Sequence, residues 1–576
     1  MLNSYLIIVL IECLLLIGIE SREEIFVSSY GVYPDDGIDD TNGIQLAINE
    51  SIRSGLRTDI IFGYGIYDLS STITIENANN LTISGQGIDK TWLIGHDAIG
   101  IFVILYSEQI ELKMFSIDFD VLPFTGGYVV NVEEKYLDVE IVSPHKVDVD
   151  RQVFAILRYD PIEMRPAFGS RTYEIYQHPS VNDSKTTNVS ESVLRVPLLK
   201  PTEFETGDAI VVRYVATHNC LDAQFVVDLR VESVRMYTCW CMGFLNLGVR
   251  RVTIKDYHLI PREGRWMSSI VDCIHFSDAR DWISISDSQC QSMGDDGVNV
   301  HAVYFLILEI VNSTTMIIET VTGSGPLDLD VGTHLEFSRH DQPFTAYANG
   351  TIAFIHFHSA NTRIVTMTNS IDMNLRDFVC VSDTPSLTIT NLTVSHNRAR
   401  GILLETRNIH VQQSIFNRTS GPAVLIQPSL FWYEGPNARN ITLSQNVYLH
   451  NNEGIAQEKG VISILPFPIQ NQTIINHILI QSSTFILGNS TRQFLQSNNA
   501  NNLLIRDNYL TLTNTSTIIS ICNSRNLSAT NNSVETNQVQ IRSFFEFDQN
   551  QPCSFNLTSL IDLPNSAFNS SFPPPV

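Results

Sequence analysis

A four-residue pattern, usually polar-apolar-x-apolar, recurs along this chain. It stands at Asn80-Leu81-Thr82-Ile83, Arg251-Val252-Thr253-Ile254, Trp282-Ile283-Ser284-Ile285, Ser386-Leu387-Thr388-Ile389, Asn408-Ile409-His410-Val411, Asn440-Ile441-Thr442-Leu443, His477-Ile478-Leu479-Ile480, Asn502-Leu503-Leu504-Ile505 and Asn526-Leu527-Ser528-Ala529. Leu387 to Ile409, Ile478 to Leu503 and Leu503 to Leu527 are 22, 25 and 24 residues apart, and other gaps stretch to 31, 32 and 37. Short alternating runs at such a period predict an all-β solenoid, because each coil has an apolar face that only stacking on its neighbours can bury. Loops of unequal length on one side explain the longer gaps. Stacked coils are about 4.8 Å apart, the ordinary distance between hydrogen-bonded strands.

The pattern also predicts the regions. Thr41 to Ile52 places Ile44, Ala47, Ile48 and Ile52 at helical spacing after Asp40, a plausible N-cap, and reads as a helix closing the open end of the solenoid. Residues 25–125 are this cap and the first coils. Residues 126–234 lose the coil signature and read as an inserted β subdomain, and coils resume over 235–303. Residues 304–383 read as a second antiparallel insert, with strands at Tyr304 to Ile310 and Thr351 to Phe357. Residues 384–540 return to coils, and 541–576 form a tail ending in Pro573-Pro574-Pro575-Val576.

Composition fits one β-rich body: of 576 residues 43% are hydrophobic and 17% charged, enough to bury a long core. A net charge of -25 disfavours nucleic acid and anionic membrane as partners, both of which need basic surfaces. Residues 1–21 read as a secretory signal, with an apolar stretch from Tyr5 through Ile19; a signal anchor is the competing reading. Sixteen Asn-x-Ser/Thr sequons, Asn188, Asn312, Asn349 and Asn440 among them, agree with export, although Asn-rich turns create some by chance. The eight cysteines after the signal permit disulfides with unreadable pairing. Cys239-Trp240-Cys241 lacks zinc-type spacing, and neither metal nor cofactor is expected.

The chemistry concentrates in two places. Asp295 and Asp296 sit in Gly294-Asp-Asp-Gly297-Val298-Asn299-Val300-His301, and Asp272 lies 23 residues upstream of Asp295 in Val271-Asp-Cys273-Ile274-His275-Phe276-Ser277. That is about one coil, so Asp272 is expected beside Asp295, with the flanking glycines allowing a bend that brings Asp296 to the same surface. Hydrolysis of a glycosidic bond needs one carboxylic acid for the leaving oxygen and another carboxylate for water or the sugar. Crowding carboxylates raises the pKa of at least one through like-charge repulsion. A lone Asp-Asp-Gly is usually a turn, as at Asp36-Gly37; the upstream Asp272 is what distinguishes this copy.

These residues resemble glycoside hydrolase family 110. The resemblance is carried by Asp272-Cys-Ile-His-Phe-Ser277, Gly294-Asp-Asp-Gly-Val-Asn-Val-His301 with Tyr304, Asn397-Arg398-Ala399-Arg400-Gly401-Ile402-Leu403-Leu404-Glu405-Thr406, Ala423-Val424-Leu425-Ile426 and Trp432-Tyr433-Glu434. It spans about residues 25 to 450. It implies an exo-acting α-1,3-galactosidase on a right-handed parallel β-helix of the pectin-lyase type, inverting, with catalytic Asp272, Asp295 and Asp296. By analogy with polygalacturonases of that fold, Asp295 is the general acid, and Asp272 with Asp296 activates water. His275, Asn299, His301, Arg398, Arg400, Glu405, Trp432 and Glu434 are expected to bind the sugar. Cys273, where Gly is familiar, and Ala302-Val303 depart from the family pattern.

Three other readings stay open. A polysaccharide lyase needs a basic residue beside a uronate and usually Ca²⁺, and the catalytic block has no Lys. A polygalacturonase would carry Gly-His-Gly, which is not found after Asp296. A non-catalytic adhesion solenoid would use the same fold without chemistry.

Overall fold

The computed structural model describes residues 22–547 except 168–173, 178, 181–182, 216, 322–328, 455–459, 489–490, 492, 513–518 and 537–539. The expected signal at 1–21 and the Pro-rich end of the tail lie outside the described residues.

The chain is a parallel β-helix. In its largest sheet the fourth residue of each sequence repeat stacks on the same position of the next coil. Ile60, Ile83, Leu112, Val231, Ile254, Ile285, Ile389, Val411, Leu443, Ile480, Ile505 and Ala529 follow one another as register partners. All are buried, and they form the spine of one continuous apolar core. Alternation along each strand turns the residue between the two apolar positions outward.

The polar residue that opens each repeat has its own task. Asn80, Arg251, Asn408, Asn440, His477, Asn502 and Asn526 all adopt left-handed backbone with φ between 53° and 58°. Asn tolerates that region better than most residues, so its recurrence marks the corner where each strand begins. Several sequons are by-products of this geometry: Asn80, Asn391, Asn440, Asn526 and Asn531 are corner or bend residues with positive φ.

Helix Thr41–Ser54 covers the first coil, burying Ile44, Ala47, Ile48 and Ser51, and ends at Gly55 in the left-handed region. Asp40 occupies the N-cap position, but its side chain makes no cap bond. Instead Asp39 accepts from the Thr41 amide and hydroxyl, while Asp40 accepts from the Asp68 amide of the next coil. Burial and nearby carboxylates push Asp40 up to about 6.

Two antiparallel sheets interrupt the coils. The first runs from Phe124–Glu133 to Ala209–Tyr214 around its own apolar cluster. Coil strands return at Leu221–Gln224, paired in parallel with Phe102–Leu105 and Phe244–Leu247, and at Val227–Met236. Residues 221–234, read from sequence as insert, are therefore coil: Asp228-Leu229-Arg230-Val231 carries the polar-apolar-x-apolar spelling, with Leu229 and Val231 in register with Val252 and Ile254. The second insert grows out of a coil strand without a break. Val298–Ile310 pairs in parallel with Ile274–Ser277 through His301 and antiparallel with Thr315–Thr320 beyond Tyr304. Among the described residues no helix is long and apolar enough to cross a membrane.

Candidate active site

Strands Ile274–Ser277, Val298–Ile310 and Ile402–Glu405 lie side by side on one face of the solenoid. Their inward residues fill the core, and the alternate residues His275, Asn299 and Leu403, then Ser277, His301 and Glu405, form two outward rows in register. The turns before these strands carry the carboxylates. Register pairs Ile274 with Val298, an offset of 24, so the partner of Asp272 is Asp296 rather than Asp295. The Asp296 amide donates to Asp272 Oδ1 at 3.0 Å, and the Cys273 amide donates to the Asp296 carbonyl at 2.9 Å. Asp295 occupies the extra turn position, and one oxygen from each of the three carboxylates falls within 4.8 Å of the others.

Gly294 and Gly297 act through close approach, not through a special bend. Neither has positive φ. A Cβ on Gly294 would lie 2.3 Å from the Ile270 carbonyl oxygen and 2.7 Å from Arg213 Nη1, and one on Gly297 would lie 2.4 Å from the Gly401 carbonyl oxygen. Cys273 is bonded to Cys290, which ties the start of one strand to the end of the next across a separation of 17 residues. That bridge accounts for the departure from the family pattern at Cys273.

Charge is compensated by arginine. Arg398 Nη1 donates to Asp295 Oδ1 at 2.9 Å; the Arg400 amide and Nη2 donate to Asp296 Oδ1 and Oδ2 at 2.9 and 2.7 Å. Asn397 Nδ2 fixes the turn by donating to the carbonyls of Asp295, Arg398 and Arg400. Burial, followed by the charge of Asp295, pushes Asp272 well above the usual carboxylate range. Burial also raises Asp296, against the pull of Arg400. Among the described residues this trio is the one group of His, Cys, Asp or Glu whose ligand atoms come together as a metal site would need. Three hard oxygens suit a hard cation, but two of the carboxylates already pair with guanidinium groups.

Sequence reasoning missed the contribution of the first insert. Arg213, fully buried, donates from Nη1 to the carbonyls of Ile270 and Gly294, locking the turns that carry Asp272 and Asp295 to each other. Its Nη2 holds Glu174, whose other oxygen accepts from Arg398 Nε at 2.9 Å. A cation inside the apolar strand Ala209-Ile-Val-Val-Arg-Tyr214 was the available signal, since a buried guanidinium requires carbonyl or carboxylate partners. Nothing local marks Glu174.

The remaining expected residues divide. His275 meets Asp272 Oδ2 at 2.8 Å, His301 meets His275 at 3.0 Å, and Glu434 comes within 3.6 Å of His301. Asn299 Oδ1 is buried without a hydrogen-bond partner, as are both Glu405 oxygens. Glu405 is 0% exposed, so it presents no atom to a sugar here. It stands in register with His301, and burial and the charge of Glu434 raise its pKa strongly. Trp432 is 63% exposed at a hairpin tip closed by Ser429 and Glu434, edge-on to the equally exposed Phe431. It is an open platform and not a packed core residue.

No family model matches the chain. It is 24% identical over 567 residues to a protein of Bacteroides thetaiotaomicron named alpha-1,3-galactosidase B, covering 85% of this chain and 87% of that one. It is 24% identical over 495 residues to alpha-1,3-galactosidase A of Shewanella woodyi, covering 78% and 79%. Among solved structures, a hyperthermoactive exopolygalacturonase from Thermotoga maritima aligns at TM-score 0.40 and 10% identity, over 92% of this chain and 95% of that one. The chain is thus related along most of its length to proteins named alpha-1,3-galactosidase.

Proposed function

We propose that this chain is an exported glycoside hydrolase that releases a terminal α-linked galactose from glycans by single displacement, with Asp272, Asp295 and Asp296 as its catalytic residues. The observation that carries the reading is the convergence of three carboxylates on one turn surface, two of them gripped by Arg398 and Arg400. The names of the relatives supply the sugar and the linkage class.

Asp295 is the most open of the three and delivers the proton to the leaving oxygen. Its partner Arg398 is shared with Glu174, so one guanidinium serves two carboxylates. Asp272 and Asp296, joined through the Asp296 amide, form the side of the site that takes the proton of water. The trio is more compact than the separation of about 6.5–9.5 Å typical of an inverting pair, so water enters beside the Asp272–Asp296 pair and not between acid and base. Asn299, Arg400, Glu434 and the Trp432 platform offer the polar and aromatic contacts that a neutral sugar needs.

The test is hydrolysis of α-linked galactosides followed by NMR of the first-formed anomer. Release of β-galactose first is expected, as is its loss in Asp272→Asn, Asp295→Asn and Asp296→Asn. Full activity in all three variants would sink the mechanism, and α-galactose as first product would exclude single displacement. Export is tested separately, by sequencing the N-terminus of secreted protein: a start near residue 22 is expected.

A further inference from the structure

A chain of two imidazoles leads away from Asp272, and its hydrogen bonds do not add up without one more proton. His301 Nδ1 lies 3.2 Å from the Ala302 carbonyl oxygen, which can only accept, so Nδ1 carries hydrogen. The other nitrogen, Nε2, faces His275 Nε2 at 3.0 Å, and one of the two must donate. If His301 is neutral, His275 donates from Nε2, and its bare Nδ1 then faces Asp272 Oδ2 at 2.8 Å. A carboxylate and an unprotonated ring nitrogen cannot bond at that distance, so a proton lies between them. If His301 instead carries both hydrogens, His275 turns its own hydrogen toward Asp272 from Nδ1. Either way Asp272, His275 and His301 hold one proton in common.

We infer that His275 and His301 form a proton relay that carries this shared proton from Asp272 to the Glu434 side of the site, leaving Asp272 ionised when water attacks the sugar. The inference rests on the hydrolase reading above. The groups facing the relay are Asp272, Asp295 and Asp296 at one end, and Glu434, Asp278 and, by register, Glu405 at the other. Burial holds both imidazoles below their ordinary pKa, so neither keeps the proton alone.

The transfers balance. Asp272 gives its proton to His275 Nδ1 while His275 Nε2–H passes to His301 Nε2. Asp272 is now an anion, and the positive charge sits on His301, 3.6 Å from Glu434 Oε1. The water that attacks the sugar loses one proton to Asp272, and His301 releases its Nε2–H through Glu434 to bulk solvent; His275 then exchanges its Nδ1–H for Nε2–H with solvent, which restores the starting array with its single shared proton. His275 and His301 touch no reacting atom in this scheme; they are positioning residues acting through Asp272.

The decisive measurement uses the full chain labelled with ¹⁵N-histidine. A Nε2–H···Nε2 bond between two rings transmits a ¹⁵N–¹⁵N scalar coupling, and that coupling is expected in the wild type. Asp272→Asn is expected to keep it, with the amide donating to His275 Nδ1 and fixing the Nε2–H tautomer. Two rings without coupling that titrate singly near the ordinary histidine pKa would overturn the relay, whatever sugar is or is not hydrolysed. The second arm is kinetic: His301→Gln should lower kcat about 10- to 100-fold at nearly unchanged KM, with partial rescue by added imidazole. An unchanged kcat, pH profile and solvent isotope effect in a folded His301→Gln would also overturn it. Failure of every galactoside in the wild type, with the coupling present, would refute the substrate reading and leave the shared proton standing.

Discussion

The coils around Asp272 and the coils after residue 475 share one repeat, one register and one apolar spine, yet they differ in the kind of polar groups they bury and in how many are left unpaired. In the C-terminal coils the turns are tied by asparagine. Asn508 Oδ1 accepts from the Ser483 amide, its Nδ2 donates to the Ile480 carbonyl, and Asn532 repeats the arrangement one coil on, from the Asn508 amide to the Ile505 carbonyl. In the catalytic coils a different corner, the turn before strands Ile274–Ser277 and Val298–Ile310, holds carboxylates, and Asn299 Oδ1, Arg400 Nε and both Glu405 oxygens are buried without hydrogen-bond partners, against Gln493 Oε1 and Gln496 Oε1 among the described residues after 475. Buried polar groups are ordinarily satisfied, so a local concentration of unsatisfied ones marks a surface shaped for something other than its own fold.

The largest effect should separate the two regions by function. Asp295→Asn is expected to lower kcat about 10³-fold or more, roughly 4 kcal/mol of transition-state stabilisation, with little change in Tm. Hydrolysis at near-normal rates would remove the catalytic coils from the chemistry. The next effect is steric. Gly294→Ala drives a Cβ into the Ile270 carbonyl and against Arg213, and overpacking of this kind costs about 1–3 kcal/mol. Both activity and denaturant midpoint should fall, because the same contact that stabilises the turns sets Asp272 against Asp295. A variant with normal stability and normal kcat would show that the turns do not need this approach.

Much of the difference between the regions was legible in the sequence. The repeat of apolar pairs gave the solenoid, since register stacking needs only an apolar residue at the same place in each coil. Asp272 and the Asp-Asp pair were visible because they interrupt that repeat at about its own interval. The one-residue error, Asp296 rather than Asp295 opposite Asp272, arose because the coil is 24 residues there and the pattern alone tolerates slips of that size. Arg213 and Glu174 were not legible: they come from a sheet inserted far earlier in the chain, and local pattern says nothing about where an insert folds back. Glu405 was legible as a charge near the site but not as a fully buried residue in register with His301, which is a fact of packing.

A third prediction measures the structural side of the comparison. Asn508→Ala removes an acceptor and a donor from buried backbone partners and should cost about 1–3 kcal/mol, read as a lower denaturant midpoint. Its kcat at a temperature where it is folded should equal the wild type. A drop in kcat without loss of stability would mean that the two regions are coupled, and that the C-terminal coils do more than support the solenoid.

The smallest effect is the sharpest test of the contrast, because it turns a catalytic turn into a structural one. Asp272→Asn puts at that turn the kind of side chain that ties another corner of the C-terminal coils: its oxygen can still accept from the Asp296 amide, and its amide can donate to His275 Nδ1. In the wild type, burial holds the pKa of Asp272 above its unfolded value. Below about pH 3.9, the ordinary aspartate value, both states carry the proton and the carboxyl costs nothing. As the pH rises from there toward the folded pKa, the unfolded chain ionises first, and stability is lost. The variant should therefore have a higher Tm than the wild type at pH 7 to 8, by a few degrees at most, and the gain should vanish toward pH 4 while activity is absent throughout. A lower Tm at neutral pH would mean that the proton shared with His275 stabilises the fold more than burial of the carboxyl destabilises it, and the catalytic turn would then be a structural element in its own right.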